Sequence, residues 1–130
     1  MARPASKHPT ELELAILKII WRDGALPVSK VRKKLVSFRD LAVTSVTTVM
    51  NIMVRKGYLR REKEGKAFLY TPLTAEREVS RGMLADLLHR LFDGSASAVM
   101  LDLLEVSDID SEEIRAMRAL INRKAQERKS

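Results

Sequence analysis

The sequence predicts a mainly α protein with one small β-hairpin, in which three helices and the hairpin precede an all-helical stretch. Three observations carry this. Apolar residues recur at helical spacing between residues 10 and 57. "YLRREKEGKAFLYTP" then breaks the period, with two short segments flanking Glu64-Gly65 and bearing Tyr, Leu and Phe. From residue 73 the helical period returns and holds until the charged tail.

The elements follow in order. Residues 1–9 contain two prolines and no apolar period, and are expected to form a flexible arm. Thr10 opens T-x-x-E with Glu13, the pattern by which a hydroxyl and a carboxylate cap each other's backbone N–H groups at a helix start. Leu14, Ile16, Leu17, Ile20 and Trp21 give that helix an apolar side, and Asp23-Gly24 ends it. After Pro27 a second helix reaches about Leu35, with Val28, Val31 and Leu35 inward and Lys30, Arg32, Lys33 and Lys34 mostly outward. A loop through Arg39-Asp40 leads to "TSVTTVMNIMVRKGY", and Gly57 supplies a left-handed stop after Arg55 and Lys56.

That third helix carries two interleaved stripes. Val46, Val49, Met50, Met53 and Val54 form a core seam. Thr44, Thr47, Thr48, Asn51 and Arg55, with Ser45 beside them, form a face of short hydrogen-bonding side chains ending in a cation. Glu, Lys and Gln are better helix formers, so solvent exposure alone is a poor reason for Thr and Asn. Short polar side chains let a helix approach base edges closely, and a Thr methyl packs on a thymine methyl. Thr44 serves equally well as the N-cap of this helix.

Charge points the same way. Residues 1–72 hold 15 Lys+Arg against 6 Asp+Glu, whereas residues 73–130 hold 9 against 11. A basic half joined to a slightly acidic half suits a polyanion-binding module attached to a segment with another task. Arg60, Arg61, Lys63 and Lys66 make the hairpin basic, which suits phosphate contact. Three helices and a basic hairpin are the order of a winged helix-turn-helix domain, here residues 10–72, with double-stranded DNA as its partner.

Residues 73–130 read as a helical dimerisation region. Val79, Met83, Leu84, Leu87, Leu88, Leu91 and Phe92 form a wide stripe, ended by Asp93-Gly94. Residues 99–104 are a short apolar segment, and Asp110 with Glu113 caps a last helix bearing Ile114, Met117, Leu120 and Ile121. These helices make a poor core alone. Leu87, Leu91, Leu103, Leu104, Met117 and Ile121 are the candidates for pairing two copies.

Other classes are poorly served. No cysteine is present, which removes disulfides, thiol catalysis and cysteine-ligated metal. His8 and His89 are the only histidines, and no phosphate-binding glycine loop, dinucleotide pattern or His-Glu-x-x-His occurs. No enzyme, metal site or cofactor is expected. No apolar run reaches the roughly 18 residues that span a bilayer, and the N-terminus lacks a signal-peptide core, which together fit a cytoplasmic protein. Two other readings share the basic half: a winged-helix module that contacts protein, and a small RNA-associated protein. Against RNA, the basic region lacks the interleaved surface aromatics of stacking platforms.

In "TELELAILKIIW", "TSVTTVMNIMVRKGYL", "EGKAFLYTP" and the late "LDLLE" followed by "SEEI", the chain resembles the penicillinase-repressor family (BlaI/MecI/CopY), in register over about 110 residues. The resemblance implies a homodimer that binds a palindromic operator and represses transcription. It further implies a membrane-bound sensor protease that inactivates the repressor by cutting it, by position at Asp102-Leu103. Two departures stand out. Asn51-Ile52 replaces the Arg that many members carry in the middle of the reading helix. The C-terminal cysteine cluster of the copper-responsive branch is missing.

Overall fold

A computed structural model of the chain describes residues 8–129, so residues 1–7 of the expected arm lie outside the described residues. The order is α1 (Glu11–Asp23), α2 (Val28–Leu35), α3 (Val43–Lys56), β1 (Leu59–Glu64), β2 (Ala67–Pro72), α4 (Glu76–Leu91), α5 (Ala96–Val106) and α6 (Ser111–Lys129). The architecture is mainly α with a two-stranded antiparallel hairpin, as the patterning predicts. Two compact units divide between residues 85 and 86, within α4.

In the first unit, α1 begins with the expected reciprocal cap. Thr10 Oγ1 accepts from Glu13 N at 3.2 Å, and Glu13 Oε1 accepts from Thr10 N at 2.8 Å. The buried arc of α1 is wider than the sequence suggests: Ile19 and Glu13 are buried beside Ile16, Leu17 and Ile20. The reason is topological, since α1 packs against α2, α3 and β2 together. Val31 and Leu35 from α2, Val46, Met50 and Met53 from α3, and Leu59 and Tyr70 from the hairpin complete the core.

The third helix starts at Val43, with Ala42 as the cap residue and no side-chain cap bond. Thr44 is therefore not the N-cap, and that reading is corrected. It sits inside the first turn, where its carbonyl accepts the Thr48 hydroxyl. At the other end Gly57 adopts φ +87°, a conformation that costs a side-chain-bearing residue but not glycine. Gly57 N then bonds Val54 O at 3.1 Å and Tyr58 N bonds Met53 O at 2.9 Å, satisfying two orphaned carbonyls and aiming the chain into β1.

The hairpin register pairs Leu59 with Pro72, Arg61 with Tyr70 and Lys63 with Phe68. A one-residue bridge joins Leu26 to Tyr70 through two backbone bonds of 3.0 and 3.2 Å, tying the α1–α2 connection to β2. Beyond Pro72, Leu73 N bonds Tyr58 O and the Trp21 indole donates to Thr74 O at 2.8 Å.

The second unit is built differently. Ser95 Oγ caps α5 by accepting from Ala98 N, and Asp110 Oδ1 caps α6 by accepting from Glu113 N at 2.8 Å. Yet no residue of α5, of α6 or of the part of α4 that belongs to this unit is buried among the described residues. Met100 and Leu104 of α5 line a groove with Ile114, Met117 and Ile121 of α6, and Leu101, Leu103, Leu104, Val106, Ile114, Leu120 and Ile121 are all exposed. Among the described residues, no helix is long and apolar enough to cross a membrane.

Candidate nucleic-acid interface

The core seam of α3 decides which of its residues face outward. Val46, Met50 and Met53 are fully buried, so Thr44, Ser45, Thr48 and Arg55 emerge on exposed positions. Thr47 and Asn51 lie at the edge of the seam and are partly covered. Both threonine hydroxyls give their protons to their own helix, Thr47 Oγ1 to Val43 O at 2.8 Å and Thr48 Oγ1 to Thr44 O at 3.0 Å. Each Thr oxygen is thereby left as an acceptor beside a methyl group. Arg55 has no hydrogen bond or ion pair among the described residues, so its cation is available at the end of the face.

The four hairpin cations are not equivalent. Side chains alternate along a strand, which puts Arg61 and Lys63 on the same face of β1 as the buried Leu59, and Arg60 on the opposite face. Arg60 pairs with Glu62 at 2.8 Å, both being exposed. An exposed pair of this kind is worth at most about 1 kcal/mol and competes little with a polyanion. Lys66 lies in the turn after Gly65, and neither it nor Lys63 has an ion-pair partner among the described residues.

Arg61, expected to be a free wing cation, is the exception, and its partner is what sequence reasoning missed. Its Nη1 donates to Asn51 Oδ1 at 3.1 Å, and its guanidinium stands 4.4 Å from the centroid of the Phe68 ring. Tyr70, 2 % exposed, donates its hydroxyl to the same Asn51 oxygen at 2.9 Å. The hairpin and the polar face of α3 are thus joined through one amide. The two-residue turn at Gly65-Lys66 sets the register that places Arg61 opposite Tyr70, but nothing in a one-dimensional pattern says which helix residue they would meet.

Other neighbours frame the face. Pro27, Val28 and Ser29 at the start of α2 line a groove with Thr47 and with Ala67, Phe68 and Tyr70 of β2. Lys30 and Lys33 of α2 are exposed, whereas Lys34 is held by Asp23 at 3.2 Å. Arg22 bonds the same Asp23 and holds its carboxyl below the usual carboxylate range, with Lys34 adding to the effect. These cations belong to the surface around α1 and α2.

The structure therefore brings Thr47, Asn51 and Arg61 together with Phe68 and Tyr70, and leaves Thr44, Ser45, Thr48, Arg55, Lys63 and Lys66 exposed around them. Of the pairing candidates, Leu104, Met117 and Ile121 line one groove, and all but the partly covered Met117 stand exposed. Asp102 and Leu103 are both exposed within α5. Among the described residues no group of three or more His, Asp or Glu side chains is arranged to hold a metal.

The chain as a whole is similar to known proteins as follows. The family model described as penicillinase repressor covers residues 9–123. The penicillinase repressor of Bacillus licheniformis is 27% identical over 108 residues, 83% of this chain and 84% of that protein. The transcriptional regulator BlaI of Mycobacterium tuberculosis is 30% identical over 97 residues, 73% of this chain and 70% of that one. Among solved structures, Bacillus licheniformis BlaI in its monomeric form, in complex with the blaP half-operator, is 27% identical with a TM-score of 0.48. That similarity covers 60% of this chain and 93% of that one.

Proposed function

From the premise that the chain belongs to the penicillinase repressor family, we propose that it is a cytoplasmic transcriptional repressor, not an enzyme, and that it binds a palindromic DNA operator as a homodimer. The observation that carries the reading is the outward face of α3. Thr44, Ser45, Thr48, Asn51 and Arg55 form a short polar surface over a fully apolar seam, next to a hairpin whose Lys63 and Lys66 are unpaired. In such a domain, residues 10–72, the α3 side chains reach base edges in the major groove and the wing cations meet phosphates.

The second unit supplies the pairing. A helical segment without one buried residue exposes Leu87, Leu91, Leu101, Leu103 and Leu120 to water. Exposed large apolar side chains in such number suit an interaction surface. A second copy, using the same residues in a two-fold arrangement with Leu104, Met117 and Ile121, would cover it. Release by a membrane-bound sensor protease would act at Asp102-Leu103, which is exposed but helical, so local unwinding of α5 must precede cleavage.

The test is a titration of the full chain against duplex DNA from upstream of its own gene and against random duplex, at several salt concentrations. Preferential binding, with affinity falling steeply as salt rises, is expected. Equal affinity for both DNAs, or no binding at all, would refute the repressor reading.

A further inference from the structure

Asn51 is the one member of the α3 polar face that is bonded to another element among the described residues. Its amide oxygen receives two hydrogen bonds from the hairpin, from the Tyr70 hydroxyl at 2.9 Å and from Arg61 Nη1 at 3.1 Å. A guanidinium only donates, so the atom turned toward Arg61 is the oxygen, and the flipped amide is excluded. An amide oxygen has two lone pairs, and both are engaged. Neither donor is loosely placed. Tyr70 is packed in the core with its backbone bridged to Leu26, and Arg61 is braced against the Phe68 ring. The Nδ2 group has no partner among the described residues and is not enclosed, so its two N–H donors are open to a ligand.

We propose that Tyr70 and Arg61 hold Asn51 as a donor-only reader, so that it contacts its base pair through acceptors and selects guanine over adenine. An unrestrained Asn reads adenine by accepting from N6 while donating to N7, which needs both ends of the amide. Here the accepting end is occupied. Adenine would set its N6 donors against Nδ2 donors, whereas guanine offers two major-groove acceptors, N7 and O6. Thymine, with O4 alone, ranks between them. Arg61 is thus a positioning residue for the reading helix, in addition to its charge. The inference rests on the repressor reading and refines it.

The experiment is selection from a randomised duplex pool with the full chain, wild type and three variants: Asn51→Ala, Tyr70→Phe, and Tyr70→Phe combined with Arg61→Met. The base pair whose preference flattens in Asn51→Ala is the one Asn51 contacts. At that pair the wild type is expected to favour guanine over adenine by about ten-fold. The double variant frees the amide oxygen and should bring the ratio to near one or invert it, with preferences elsewhere retained. The readout is a ratio within one protein preparation, so lost stability or a lost phosphate contact cancels. Tyr70→Phe removes a single oxygen and must by itself shift the ratio partway, which covers a double variant that fails to fold. Adenine preferred in the wild type, an unchanged ratio in the variants that fold, or no pair affected by Asn51→Ala would each overturn the inference while leaving DNA reading intact. A wild-type chain that enriches no sequence would overturn both.

Discussion

Lys56, the last residue of α3, places its Nζ 3.0 Å from Oε2 and 3.2 Å from Oε1 of Glu13 in the first turn of α1. The carboxylate has 4% side-chain exposure and the lysine 30%. Glu13 already accepts the Thr10 N–H, so one side chain caps α1 and anchors the end of the reading helix. Lys56→Met would leave a buried carboxylate with its helix cap alone. We expect a loss of about 1–3 kcal/mol, because an unpaired buried charge costs more than the pair is worth. Glu13→Gln in the Lys56→Met background should recover part of it, since Gln still completes the cap. Urea unfolding of the four-protein cycle measures the coupling, and an unchanged midpoint in Lys56→Met would contradict this account.

Tyr58 reports on the same corner. Burial pushes its phenol above the ordinary value of 10.0, and the nearby Glu13 charge pushes the same way, partly opposed by Lys56. The neutral phenol is thus the form that the fold favours. Its contribution to stability is complete below the unfolded value and is lost as pH rises through the folded one. The phenolate absorbance difference between wild type and Tyr58→Phe should titrate above pH 10. Glu13→Gln should move the midpoint down, and a wild-type midpoint below 10 would show the environment to be misjudged.

Thr48 and Lys63 should separate specificity from affinity. Thr48→Ala removes an exposed methyl and an accepting oxygen from the α3 face, and should cost about 1–3 kcal/mol on a selected operator with little change on random duplex. Lys63→Ala removes an unpaired wing cation and should weaken both DNAs alike, lowering the salt slope by about one. Fluorescence anisotropy on both duplexes over a salt series distinguishes the two patterns. Equal losses from Thr48→Ala on both DNAs would mean that its position is not read.

How much of this was legible follows from the range of each interaction. The Thr10–Glu13 cap, the Gly57 stop and the turn at Gly65 are local, and the sequence predicts all three. The α3 seam follows from periodicity, and Met50 and Met53 are fully buried as expected. The Leu26–Tyr70 bridge is a single residue pair and leaves no periodic trace. The Glu13–Lys56 pair spans 43 residues, so only the packing of α1 against α3 reveals it. Asn51 and Arg61 are ten residues apart across a helix stop and a strand entry, so each was legible as a DNA-facing residue while the bond between them was not.

The remaining prediction concerns how two reading heads act together. If the α5–α6 surface pairs two copies, replacing Met117 and Ile121 by Glu should give monomers in sedimentation, with the first unit still folded around its own core. A protease cutting at Asp102-Leu103 would have a related effect, because the fragment ending at Asp102 keeps α1 through β2 and loses α6. Each head would retain all its DNA contacts. What disappears is the linkage that makes binding of the second head intramolecular, a term worth about 10²–10⁴ in affinity, or roughly 3–5 kcal/mol. Repression would then end by mass action, with no reading head unfolded. The recombinant fragment, titrated on a duplex with two half-sites about one helical turn or a multiple apart, should lose most of the full chain's affinity. On a duplex with one half-site it should lose almost none. Undiminished binding of the fragment to the two-site duplex would show that the second unit does not couple the heads, and cleavage there could not explain derepression.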